Sequence, residues 1–182
     1  MLIRSCIVFT FLFSLAVTCR AQNWPAPQAP AIPQADGYVV IPEASVAPSV
    51  TTTYRSIFDG TKMSDKPENI LPAVNAVGGV LNDLVVGRVP QNRQQFAVVF
   101  HGAAVDGILD DVHYRAMYGI ANPNLPVLAE LRKRGVELLV CGQHLAAERI
   151  DPKTLSPDVK IASDAYLVLI NYQNHGFALM LF

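Results

Sequence analysis

Three segments that read as strand ends carry a side chain able to do chemistry, each followed by glycine: Asp59-Gly60, His101-Gly102 and Cys141-Gly142. A thiol, an imidazole and a carboxylate are parts from which nucleophilic sites are assembled. Cys141 stands at the centre of this set. Val136-Glu137-Leu138-Leu139-Val140 leads into it as a short apolar strand, and Gly142-Gln143-His144 opens a helix after it. The free N–H groups and positive dipole end of such a helix favour thiolate, the nucleophilic form of the thiol. An imidazolium from His101 or His144 acts in the same sense. The plainer alternative is glycine as ordinary turn punctuation and a cysteine buried as a small hydrophobe. Cys141 and His144 also have a Cys-x-x-His spacing, with His101 and His113 as further donors, but structural zinc sites usually take four ligands and more cysteines. The expectation is therefore no metal. There is no Gly-rich phosphate loop and no other cofactor motif, so no cofactor is expected.

The elements that must place these residues alternate along the chain. Residues 52–58 read as a strand of β-branched and aromatic residues. Residues 69–86 have helical period, with Ile70, Val74, Val77, Leu81 and Leu84 on one face; Gly78-Gly79 inside it signals close approach to the sheet or a neighbour. Residues 96–102 are an apolar run without alternation, as in a strand buried on both faces. A helix is expected over 110–118. Asn122-Pro123-Asn124 is turn chemistry, with Asn124 as N-cap of a helix over 125–134 that buries Leu125, Leu128 and Leu131 and ends at Gly135. After Cys141 come a short helix over 143–149, a brief strand over 159–161, a helix over 162–175 with Tyr166, Leu169, Ile170 and Gln173 along one side, and an apolar strand over 177–182. Strands alternating with helices predict an α/β fold with a parallel sheet flanked by helices on both faces. Ligands in such folds sit at the carboxyl ends of the strands, where Asp59, His101 and Cys141 would approach one another.

The beginning of the chain has a different character. Arg4 precedes an apolar run from Cys6 to Val17, shorter than the roughly 20 residues a bilayer span needs, and Cys19 and Ala21 stand where small residues precede a cleavage site. Residues 1–21 are thus expected to be a signal peptide, which places the protein in the periplasm or outside the cell with no stable membrane span after cleavage. An uncleaved anchor, or a lipoprotein lipidated at Cys19, is the alternative. Cleavage leaves Cys141 as the lone cysteine of three. Residues 22–50 are proline-rich and read as an extended tether with no packed core; Tyr38-Val39-Val40-Ile41 is a short β-like run suited to the domain edge. The globular domain is expected over 51–182. Across all 182 residues, 51% are hydrophobic, enough for a core, and the net charge is −1. No basic stripe interleaved with aromatics speaks for nucleic acid, and no polybasic run for a membrane surface.

Taken together, Phe96-Ala97-Val98-Val99-Phe100-His101-Gly102, Asn122-Pro123-Asn124-Leu125-Pro126, Gly135-Val136-Glu137-Leu138 with Val140-Cys141-Gly142-Gln143, and Asn174-His175-Gly176-Phe177-Ala178 resemble the DsrE/DsrF-like proteins of sulfur relay. The resemblance covers roughly Tyr54 to Phe182. It implies a three-layer α/β sandwich around a mainly parallel sheet, assembled as a homo-oligomer. It also implies that Cys141 carries sulfur as a persulfide exchanged with a sulfur donor or acceptor protein. His101 joins Cys141 as the candidate catalytic pair, stabilising the thiolate. Gly102, Gly142, Gln143 and Asn122 are the candidate binding residues, with Gly142 allowing close approach of a partner. The chain departs from cytoplasmic relay proteins in its export signal. The alternative function is a non-catalytic binding or assembly module, with Cys141 buried and inert and the proline-rich segment as a contact arm.

Overall fold

The structure is a computed structural model that describes residues 24–182. The expected leader, residues 1–21, lies outside the described residues. Five strands, β1 (Tyr54–Gly60), β2 (Gln94–Phe100), β3 (Glu137–Cys141), β4 (Lys160–Ala162) and β5 (Ala178–Leu181), form one sheet in the order β4-β3-β2-β1-β5, and every pairing is parallel. The helices are α1 (Pro72–Val86), α2 (Asp111–Tyr118), α3 (Asn124–Lys133), α4 (Gly142–Glu148) and α5 (Ala165–Asn174). This is the three-layer α/β sandwich that the resemblance implied, around the parallel sheet that the alternation predicted.

Side-chain alternation along the strands divides the core in two. Phe58, Phe96, Val98, Phe100, Leu138 and Val140 face α1 and α3, where they meet Val74, Val77, Leu81, Leu128 and Leu131. Each of these fully buried aliphatic side chains contributes about 1.5–3 kcal/mol. The opposite face carries smaller groups: Ile57, Ala97, Val99 and Cys141, covered by Ala165 and Leu169 of α5. The topology explains why α5 is alone there. The links β1-α1-β2, β2-α2-α3-β3 and β3-α4-β4 all step the sheet in one direction, and right-handed crossovers then lay their helices on one side. The link β4-α5-β5 runs back across the whole sheet, so the same handedness places α5 on the other side.

Several local expectations are corrected. Residues 24–50 are not an extended tether without packing. Ala31, Ile32 and Ala35 are buried in the larger core cluster, and Asn82 of α1 grips the segment. Its Oδ1 accepts from the N–H of Ala31 (2.8 Å) and Ile32 (2.9 Å), and its Nδ2 donates to the carbonyls of Ile32 (3.0 Å) and Asp36 (2.9 Å). The run 38–41 does not form an edge strand; Tyr38 instead bridges Gln28 within this strap. Of the two expectations for the glycines of α1, the sheet or a neighbour, the neighbour holds, and it is the strap: a Cβ on Gly78 would stand 2.5 Å from that of Ala35. Asn124 is the first residue of α3 and not its N-cap, and its Oδ1 accepts from the Leu71 N–H at 2.7 Å. The helix expected from 162 starts at Ala165, because Asp164 caps it with hydrogen bonds from the Tyr166 and Leu167 N–H groups. It buries Ala165 and Leu169, whereas Tyr166 and Ile170 are exposed.

Candidate functional site

Cys141 is the last residue of β3 and the N-cap of α4. Its sulfur takes the part that a serine or aspartate oxygen usually plays at a helix start, accepting from the His144 N–H at 3.4 Å. A second donor comes from across the face: the N–H of Ala165, first residue of α5, reaches the same sulfur at 3.3 Å. The first N–H groups of a helix have no partner within it. In α5 they are shared out, those of Tyr166 and Leu167 to the Asp164 carboxylate and that of Ala165 to Cys141. Two N–H groups directed at one sulfur suit a negative charge there, since hydrogen bonds to an ionised acceptor are about twice as strong as neutral ones. The residue is 5% exposed.

Gly142 is needed at its position. A Cβ there would stand 2.8 Å from the Ala162 carbonyl oxygen and 3.3 Å from that of Ser163, and the Gln143 N–H donates to the Ser163 carbonyl at 3.2 Å. The close approach that this glycine permits is therefore made by the chain's own β4–α5 turn, the turn that delivers the Ala165 N–H. The side chain of Gln143 is exposed.

His101 follows β2 directly. The pairing of Phe100 with Val140 puts it next to Cys141 at the ends of neighbouring strands. Its hydrogen bond goes the other way, to β1: Nε2 lies 2.7 Å from Asp59 Oδ1, with the two side chains 20% and 14% exposed. The Tyr166 ring stands edge-on to the imidazole at 6.3 Å between centroids. The structure thus joins Asp59 to His101, while the sulfur is held by backbone donors; no hydrogen bond links the imidazole to the thiol among the described residues. Gly102 has φ +57°, a left-handed turn that lets the chain leave β2 beneath the Thr61 carbonyl. Asn122 is buried and occupied internally: its Nδ2 donates to the carbonyls of Gly107 (3.1 Å) and Leu109 (2.6 Å), and its Oδ1 accepts from the Asn124 N–H (2.9 Å). It braces the segment that follows His101 and offers no free amide hydrogen to a ligand.

A groove of about 630 Å³ runs along α5 on the Cys141 face, lined by Leu139, Ser163, Asp164, Leu167 and Val168, with Tyr172 at its far wall. Leu139 is two residues before the cysteine, and Ser163 and Asp164 immediately precede the Ala165 donor. The Tyr172 hydroxyl donates to Glu137. Burial and the adjoining carboxylate push its phenol well above the ordinary tyrosine range. Among the described residues no three His, Cys, Asp or Glu side chains gather in a way that could hold a metal ion, and no helix is long and apolar enough to cross a membrane. The donors from Ala165 and the cap Asp164 were not singled out in the sequence. Ser163-Asp164 ahead of an apolar helix was the signal that could have found them.

Fold and site together define a parallel α/β sandwich protein with a thiol held at the carboxyl edge of its sheet. The chain belongs to the DsrE/DsrF-like family, whose sequence model matches residues 51–182. No match was found among curated proteins. Among solved structures it is similar to the protein of unknown function MTH1491 from Methanobacterium thermoautotrophicum, with a TM-score of 0.54 at 18% identity over 71% of this chain and 99% of that one. At that identity the likeness speaks for the fold alone.

Proposed function

We propose that this chain is an exported sulfur carrier that holds sulfane sulfur on Cys141. The reading rests on membership of a family associated with sulfur relay, and one observation carries it: the Cys141 sulfur accepts two backbone N–H groups at the carboxyl edge of a parallel sheet. In loading, the Cys141 thiolate attacks the outer sulfur of a polysulfide or persulfide. The new bond joins Cys141 Sγ to that sulfur, the donor's S–S bond breaks, and the donor leaves as a thiolate. In delivery, an acceptor thiolate attacks the outer sulfur and Cys141 departs as the thiolate, held by the His144 and Ala165 N–H groups. Neither step needs an outside oxidant or reductant.

The test is the intact mass of the mature protein after incubation with polysulfide, with and without reductant. The expected result is a reductant-sensitive gain of whole sulfur atoms on Cys141, absent in Cys141→Ser. That variant should keep its fold, because serine is a good N-cap for α4. An adduct that survives the substitution would sink the proposal. Recovery of the protein from the exported fraction without residues 1–21 checks the localisation.

One observation favours a second reading. The thiol is almost fully covered, packed among Ile57, Ala97, Val99, Ala165 and Leu169, as an inert core cysteine in a binding or assembly module would be. Alkylation of the folded protein separates the two. Modification under native conditions supports the carrier, and modification only after denaturation supports the module. In either case the proline-rich segment is not a free contact arm, since Asn82 holds its middle against α1.

A further inference from the structure

The carrier chemistry leaves one proton without a destination. An acceptor arriving as R–SH must lose its proton before it can attack the outer sulfur. Three features put a base at the right place. His101 and Cys141 follow the paired residues Phe100 and Val140, so they end adjacent strands. Strand alternation sets both on the α5 face, with Val99 and Cys141 in the same cluster and the imidazole against Tyr166. Finally, the hydrogen bond of His101 fixes which nitrogen is open. An ionised carboxylate can only accept, so in the neutral imidazole this contact places the proton on Nε2 and leaves Nδ1 with its lone pair. Nδ1 makes no hydrogen bond among the described residues.

We infer that His101 is the general base that takes the proton from the incoming thiol, and that Asp59 is the residue that positions it. This rests on the sulfur-carrier reading and replaces the expectation that His101 acts by stabilising the Cys141 thiolate. The step balances as R–SH plus Cys141–S–SH giving R–S–SH plus Cys141–SH. The imidazole takes the acceptor's proton as the acceptor sulfur bonds to the outer sulfur and the Cys141 S–S bond breaks. It then returns that proton to the released Cys141 sulfur. Asp59 from β1 and Tyr166 from α5 face the ring, and Cys141 ends the neighbouring strand β3.

The experiment loads the protein with polysulfide, removes the excess and follows loss of the sulfur adduct by mass at neutral pH with two acceptors. One is an alkyl thiol, mostly protonated; the other is an aryl thiol acidic enough to be ionised already. His101→Ala is expected to slow delivery to the alkyl thiol about 100-fold, the low end of general-base contributions, while delivery to the aryl thiol stays near wild type. Added imidazole restores part of the alkyl rate. Asp59→Asn slows the alkyl reaction by about tenfold, a fraction of the same contribution, with the same indifference to the aryl acceptor. Equal slowing with both acceptors, or no slowing with either, overturns the base and leaves the carrier intact, the Asp59–His101 contact then being a structural tie. A wild type that takes up no sulfur overturns the carrier and this inference with it.

Discussion

The thiol of Cys141 does two jobs that pull on each other, since it is the proposed reactive group and also the cap of α4. Its second donor depends on a neighbour's lack of a side chain. In Gly142→Ala the added methyl would stand 2.8 Å from a backbone oxygen, a distance that real Cβ contacts do not reach. The β4–α5 turn must move, and the Ala165 N–H moves with it. The expected outcome is a fold that is retained but weakened by about 1–3 kcal/mol, as for overpacking elsewhere, with Cys141 alkylated faster than in the wild type. Denaturant unfolding and native-state labelling check the two halves. At this scale the sequence was informative about where the cysteine lies, because Leu138-Leu139-Val140-Cys141-Gly142 carries its own strand and its own stop. It also brought Asp59 and His101 under consideration, each before a glycine. It said nothing of the Ala165 donor, which lies 24 residues away and is fixed only by the crossing of α5 over the sheet.

The element that sequence reading misjudged most is the strap. Proline at short intervals reads as a tether because such composition lacks apolar mass, yet docking here needs little of it. Ala31, Ile32 and Ala35 fill a notch, and one buried amide satisfies the backbone around them. The notch was written in α1, in Gly78 and in the polar Asn82 beside Leu81, but its occupant could not be named from the helix alone. The pair Gly78-Gly79 offers a clean test. Alanine in a helix interior normally gains about 1 kcal/mol over glycine. At Gly79 the new methyl would meet Asp36 at 3.6 Å, an ordinary contact, so Gly79→Ala is expected to stabilise. At Gly78 it would collide with Ala35 at 2.5 Å, so Gly78→Ala is expected to destabilise by about 1–3 kcal/mol. Shifts of opposite sign in the urea midpoint are the expected outcome; equal shifts would mean that the strap does not press on α1. The buried face of α5 was not legible for a different reason. Ala165-Tyr166-Leu167-Val168-Leu169-Ile170 is apolar all round, so period alone cannot choose a buried side.

For the whole molecule, class was readable and order was not. Alternation of strands and helices forces a parallel sheet with covered faces, whereas the sequence β4-β3-β2-β1-β5 depends on which edge β5 joins. Nothing in Phe177-Ala178-Leu179-Met180-Leu181-Phe182 declares that edge. The return of the chain across the sheet also has a meaning in time. Pairing of β5 with β1, and the bond from the Thr61 hydroxyl to the Phe182 carbonyl across 121 residues, are contacts of the slow kind, because the chain between must first be ordered. The remaining strands are joined by shorter links and can assemble earlier with α1 and α3. On that schedule the roof over Cys141 is laid last. During refolding the thiol should stay open to a pulse of alkylating reagent after most strand signal has returned, and close with the slowest phase. Protection appearing with the first phase would refute that order. A maleimide pulse read by mass spectrometry would thus date the sealing of the site, and a newly made chain would pass through an interval in which the Cys141 thiol meets whatever oxidants its compartment contains.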